Sequence, residues 1–256
     1  MGTRKVTSPF AAIAGLQSKT QRSVFYGQIK AILIGKELAE KGLKKGIDPL
    51  NRYAKVPPQA FLLLTKDKAY EVLDLSLWDN RIPASALVDF FHAQEKGDQA
   101  FSQQIWEFSR NINSRTQDGF LPLLAYDQED KAFIINGLGV FHQDRLVGEL
   151  SGEEARMFGL VSGRSQNAHL HLSVPGFGSL TYRKIRARPR ISLRKNAMKP
   201  VFTIDLKVQG YLAESTEGEI KLTKEDTRII DREVSKYLHR EMVKTLQNIQ
   251  ALNSDL

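Results

Sequence analysis

Cysteine is absent from all 256 residues. That excludes a disulfide framework, a thiolate nucleophile, a zinc–thiolate site and an iron–sulfur cluster, and leaves only histidine and carboxylate donors for a metal. Long hydrophobic runs are missing as well. The longest near the start, Ala31 to Ile34, falls far short of the roughly 20 residues that span a bilayer, and the first turns carry no signal-peptide apolar region. Acidic residues are missing from one long window: none lies between Glu154 and Asp205. The same window holds Arg156, Arg164, Arg183, Lys184, Arg186, Arg188, Arg190, Arg194, Lys195 and Lys199. The formal charge of +8 and pI near 9.5 therefore come largely from one place. They speak to association with anionic surfaces rather than to fold.

What is present describes a folded chain: 41% hydrophobic and 26% charged residues suffice for a core, and the length suggests about two domains. Ser8-Pro9 marks a helix start, with Phe10, Ile13 and Ala14 on its apolar spacing. Val24 to Tyr26 and Ile29 to Ile34 read as strand, and Lys36 to Lys41 as a helix stopped at Gly42. Asp48-Pro49 predicts a short helix from Leu50 to Ala54, before an all-apolar strand at Ala60 to Leu64 that should be covered on both faces. Helical patterns run from Lys66 to Leu77, from Pro83 through Leu87, Phe90 and Phe91, and through Phe101, Ile105, Trp106 and Phe108. The acidic turn Asp127 to Asp130 is the expected domain boundary.

Beyond it, Phe133 to Ile135, Gly139 to Phe141 and Leu146 to Gly148 read as a hairpin or meander, and Ser151-Gly152-Glu153-Glu154 as a capping box opening a helix through Leu160. Extended segments follow at Ala168 to Val174, Ser179 to Leu193 and Val201 to Leu212. Thr223 to Asp226 then starts an amphipathic helix of about seven turns, whose apolar stripe runs from Ile229 to Ile249.

Catalytic templates find little to hold. His169 and His171 share a strand face but lack a nearby third ligand. His142 sits in a turn beside Asp144, and Gly137-Leu138-Gly139 and Gly176-Phe177-Gly178 fall in strands or hairpin loops rather than at a helix N-terminus. Adjacent carboxylates Glu153 and Glu154 point apart on a helix and are explained by its dipole. No cofactor, metal or catalytic residue is expected.

The basic strand stands out. Lys184, Arg186, Arg188 and Arg190 alternate with Ile185, Ala187, Pro189 and Ile191, which sets four cations along one face. Pro189 suits an edge strand guarded against aggregation. Lipid headgroups or an acidic protein are the other readings, and nucleic acid ranks lower because stacking aromatics are few.

Four stretches, in order, resemble a known family: Val24 to Gly42 followed by Asp48 to Arg52; Gly139 to Phe141 with Asp144 to Arg156; Gly210 to Glu214; and a long helix reaching Ile249-Gln250. Together the chain resembles the C subunits of bacterial spore germinant receptors, the GerAC-like lipoproteins. The resemblance implies an α+β, multi-domain protein whose C-terminal antiparallel sheet is covered by a long C-terminal helix. It also implies a lipid-anchored parent on the outer face of the spore inner membrane, working beside multipass A and B subunits in nutrient sensing. Family members carry a lipobox cysteine and extend further at both ends, so the expectation is a soluble fragment truncated at both termini. Its domains are expected at 1–73, 74–128 and 129–256. The expected function is non-enzymatic contact with membrane subunits through Lys184, Arg186, Arg188 and Arg190. The alternative is a nutrient-binding cleft between domains.

Overall fold

The computed structural model describes residues 11, 15, 18, 26–52, 56–73, 75, 86–87, 89–90, 101–165, 168–194, 201–216 and 222–256. The expected helix start at Ser8-Pro9 lies outside them, as do Leu77 and Pro83 of the helical patterns that follow Lys66. Two compact units are present: one drawn from Met1–Phe91, Ser102–Leu150 and Ile249–Leu256, the other from His92–Phe101 and Ser151–Asn248.

The first unit is built on a five-stranded sheet in the order β1-β2-β3-β4-β5: β1 (Ala31–Gly35), β2 (Phe61–Thr65), β3 (Phe120–Asp127), β4 (Ala132–His142) and β5 (Arg145–Leu150). The first three strands run parallel and β3, β4 and β5 form an antiparallel meander. Every residue of β2 is buried, because its alternate side chains enter two cores. Leu62 and Leu64 join Ile105, Phe108 and Phe141 on one face, while Phe61 and Leu63 join Leu124, Phe133 and Ile135 on the other. The apolar run was therefore the signature of a doubly covered strand. Gly139 of β4 leaves the space through which Leu64 and Leu146 pack, since a Cβ there would collide with both side chains.

Helices α1 (Lys36–Lys41), α2 (Lys44–Arg52), α3 (Ala69–Val72) and α4 (Ile105–Ile112) complete this unit. α1 stops at Gly42 as the pattern predicts. α2 departs from expectation: it begins at Lys44 rather than at Asp48 and carries Pro49 inside. The start signal comes from far along the chain, where the Asp144 carboxylate accepts from the Lys44 amide at 3.0 Å and the Asp144 carbonyl from Leu43 at 2.8 Å.

The acidic turn expected as a domain boundary joins β3 to β4 within this sheet, its Asp127 side chain accepting from the Glu129 amide at 2.9 Å and the Asp130 amide at 3.2 Å. β4 and β5 thus extend the first sheet, not the C-terminal one, because β3 offers them a free antiparallel edge.

One buried carboxylate fastens the chain terminus to this sheet. Asp118 accepts from the Gln143 amide at 2.7 Å and the Asp255 amide at 3.0 Å, lies 3.1 Å from His142 Nδ1, and donates its own amide to the Asp255 carbonyl at 2.8 Å. Beside it the Ser254 hydroxyl donates to the Phe141 carbonyl at 2.8 Å. Gln143 takes a left-handed φ of 53° at the hairpin tip, a conformation that its bond to Asp118 supports.

The second unit is a three-stranded antiparallel sheet in the order β6-β7-β8: β6 (Ala168–Val174), β7 (Gly178–Arg194) and β8 (Val201–Ser215). α5 (Gly152–Val161) and α6 (Lys224–Ala251) cover one face. Met157 and Leu160 of α5 and Ile230 and Leu238 of α6 pack on Leu170, Leu172, Leu180 and Ile185. The capping box is present: Ser151 Oγ accepts from the Glu154 amide, and Glu154 Oε2 from the Ser151 amide at 2.9 Å. Thr223 and Asp226 reciprocate in the same way ahead of α6. This antiparallel sheet with its long helix gives the mixed α/β fold that the resemblance implies.

Desolvation works against ionisation of Asp118, but the amides of Asp255 and Gln143 and the His142 ring outweigh it and hold the carboxyl below its ordinary range. A depressed folded-state pKa contributes stability that is present above the unfolded value, near 4, and is lost as pH falls through the folded one. Asp118→Asn should therefore cost about 1–3 kcal/mol at pH 7. Urea unfolding against pH should show the gap between variant and parent closing below about pH 4.

Candidate interaction surface

β7 changes the sense of its alternation halfway along. Leu180 and Tyr182 point toward the helices, and strict alternation would send Lys184, Arg186, Arg188 and Arg190 the same way. A β-bulge prevents it. β7 pairs Arg183 with Tyr211 and then Arg186 with Gln209, so that Lys184 and Ile185 together oppose the single residue Gly210. Lys184 sits at a left-handed φ of 53°. Ile185 then turns inward and is buried, and Arg186 turns outward. Gly210 eases the crossing, since a Cβ there would stand 3.0 Å from Ile185 Cγ1 and the isoleucine would have to give way by a few tenths of an ångström.

The four expected cations are all exposed. Arg186, Arg188 and Arg190 follow at alternate positions of one strand face, whereas Lys184 belongs to the bulge. β8 adds a cation that lies outside the acid-free window, Lys207, directly opposite Arg188. Asp205 stands opposite Arg190 and is the one acid in this stretch of ribbon. Among the described residues, Arg186, Arg188, Arg190 and Lys207 form no ion pair. Tyr211, 71% exposed and opposite Arg183, extends the same face.

Pro189 marks a partial edge. β7 is the central strand from Gly178 to Ile185, where β6 pairs with it, and from Arg186 to Arg194 it pairs with β8 alone. The strand is interior at one end and an edge at the other, and Pro189 occupies the half where a missing amide costs least.

His169 and His171 are exposed on β6, and His171 Nδ1 lies 3.0 Å from Thr181 Oγ1. Glu153 accepts from the Tyr237 hydroxyl, and burial, followed by that carboxylate, pushes the Tyr237 pKa up. Glu154 also accepts from Asn248 at 3.0 Å. Although burial opposes it, hydrogen bonding to Ser151 and Asn248 leaves its carboxyl below the usual range.

A cavity of about 460 Å³ lies between α6 and the inner sheet face. Leu206, Val208 and Met242 supply apolar lining, and Asp231, Ser235 and His239 come from successive turns of α6. Tyr182 reaches the same space, and burial, then the Asp231 charge, raises its pKa. This cavity lies within one unit, and nothing in the sequence pattern announces it, because its polar members are spaced four apart among ordinary helix-surface residues.

Two family models match the chain nearly end to end. "Spore germination protein N-terminal domain" covers residues 1–126 and "Spore germination B3/ GerAC like, C-terminal" covers residues 136–256. They part around the acidic turn, whereas the compact units part after Leu150. Among curated relatives, spore germination protein GerQC of Bacillus cereus is 20% identical over 230 residues, which is 88% of this chain and 64% of that protein. The crystal structure of the GerBC protein is similar in fold with a TM-score of 0.66 at 18% identity, over 92% of this chain and 68% of that one.

Like charges directly opposite across a strand pair are destabilising. Arg188→Glu, which sets an acid against Lys207, should therefore stabilise the chain by roughly 0.2–1 kcal/mol in urea titrations, at low ionic strength more than at high.

Proposed function

Since this chain belongs to the GerAC-like spore germination proteins, we propose that it is the C-subunit part of a nutrient germinant receptor and that it works by contact rather than by catalysis. The observation that carries this reading is the outer sheet face of the second unit. Arg186, Arg188 and Arg190, turned outward by the bulge of β7, and Lys207 of β8 opposite them are held there without ion pairs among the described residues. Arg188 opposite Lys207 weakens the sheet in the free protein, and an acidic partner that intercalates between them would relieve the repulsion. Multipass A and B subunits offering acidic extracytoplasmic loops are the proposed partners. Among the described residues no helix is long and apolar enough to cross a membrane. A lipid anchor at the outer face of the spore inner membrane is the proposed attachment.

The test is made in the full-length, anchored protein. Lys184, Arg186 and Arg188 are changed together to Glu, and the variant is followed by nutrient-triggered germination and by co-purification of the membrane subunits. All three side chains are exposed, so the variant should fold, lose its partners and fail to support germination. Germination at parental rate with normal co-purification would refute the assignment.

A second reading, small-molecule binding, draws support from the cavity under α6, where Asp231, His239 and Tyr182 converge on an apolar lining. Calorimetry with amino acids, sugars and nucleosides decides it. The contact reading expects no saturable heat, and a sensor would show heat that Asp231→Ala removes.

A further inference from the structure

The register of the ribbon formed by Arg186 to Arg194 of β7 and Val201 to Gln209 of β8 makes it two-faced. Opposed residues share a face. The pairs Arg186↔Gln209, Arg188↔Lys207, Arg190↔Asp205 and Ser192↔Thr203 make one side polar, and Ala187↔Val208, Pro189↔Leu206, Ile191↔Ile204 and Leu193↔Phe202 make the other apolar throughout. Near the bulge that apolar side is covered: Ala187 is buried, and Leu206 and Val208 pack into the core under α6. Toward the far end the cover stops. Ile191 is 62% exposed, Leu193 46% and Phe202 64%, and Ile204 is half-buried.

We propose that this bare end is a lipid-docking element that sets Ile191, Leu193 and Phe202 into the interface of an anionic bilayer. Charge complementarity selects the occupant. The apolar pairs are backed, one ribbon thickness away, by Arg188, Arg190 and Lys207 against the single acid Asp205. At physiological salt a screening length of about 8 Å leaves the nearest of these cations within reach of a negative surface and largely screens the farther ones. An apolar face with cations on its reverse is the arrangement by which amphipathic elements settle into headgroups. At about 3.4 Å per strand residue, Arg190 stands about 10 Å behind Leu193 and Arg186 about 24 Å behind it, so the charges should count in that order. The proposal goes beyond receptor assembly and is read on lipid alone, so its outcome is separable from that of the contact reading.

The test is co-sedimentation of the purified chain with vesicles of phosphatidylcholine alone or mixed with phosphatidylglycerol. Strong pelleting is expected only with the anionic vesicles, weakened by salt. Leu193→Ser with Phe202→Ser should lower the affinity roughly fiftyfold, because two half-exposed apolar side chains lose their burial. Arg190→Glu should lower it about tenfold, and Arg186→Glu less. The absence of native cysteine makes a single label unambiguous. An environment-sensitive fluorophore on Ile191→Cys should shift to the blue on anionic vesicles, and one on Tyr211→Cys should not. Anionic vesicles that fail to pellet the chain, or that pellet the serine variant equally well, would overturn the proposal. So would a self-association in sedimentation velocity that the serine variant abolishes, since the occupant would then be a second copy.

Discussion

The bulge at Lys184 is the constraint on which the second unit turns. Side chains on a strand alternate, so a shift of one residue exchanges the two faces of everything that follows. Leu180 and Tyr182 fix the inward sense at one end of β7. Continued without interruption, that sense would drive Lys184, Arg186 and Arg188 under α6 and α5 and put Ile185 and Ala187 in water. Burying unpaired cations costs several kcal/mol apiece. Holding a lysine at positive φ costs of order 1 kcal/mol, so the bulge is by far the cheaper solution. Gly210 is its counterpart on β8, where a Cβ would crowd Ile185 as the chain crosses over.

This explains what the sequence disclosed and what it withheld. The alternation of Lys184 to Ile191 set four cations on one face, whereas Lys184 belongs to the bulge and three arginines alternate; which face they take depends on parity carried from Leu180 through that irregular step. Local signals served well where the cause is local: the capping boxes at Ser151 and Thr223, the stop at Gly42, the unbroken apolar run of β2. They failed where a distant residue decides. The start of α2 depends on Asp144, the Gln143 turn on Asp118, and the fourth outward cation of the ribbon on Lys207 of another strand. Periodicity also could not divide the chain into sheets. The expected domain from 129 to 256 set β4 and β5 with the C-terminal sheet, whereas the hairpin at the acidic turn pairs β4 with β3, and β3 is drawn into the first sheet by its long-range pairing with β2.

The two faces of the distal ribbon answer different physical demands. Unpaired cations at alternate positions, one of them opposed by another cation, weaken the isolated sheet slightly and strengthen encounter with an anionic surface. Such charges act mainly on the rate of association and on its salt dependence. Exposed Ile191, Leu193 and Phe202 do the reverse: they add nothing at a distance and lengthen residence once covered, since differences in dissociation dominate affinity among related interfaces.

A single lipid chain gives only marginal, reversible membrane binding, and stable attachment takes a second signal. A ribbon that presents grease on one side and charge on the other would supply that signal within the folded domain. Its orientation matters as much as its affinity. An anchor on a flexible segment leaves a domain free to rotate above the bilayer, whereas a second contact on a rigid sheet removes that freedom. With the apolar side of the ribbon set toward lipid, the arginine side faces away from it, toward any partner of the kind proposed that rises above the surface. The bulge, by fixing which side is which, would then fix which surface of this domain its partners meet.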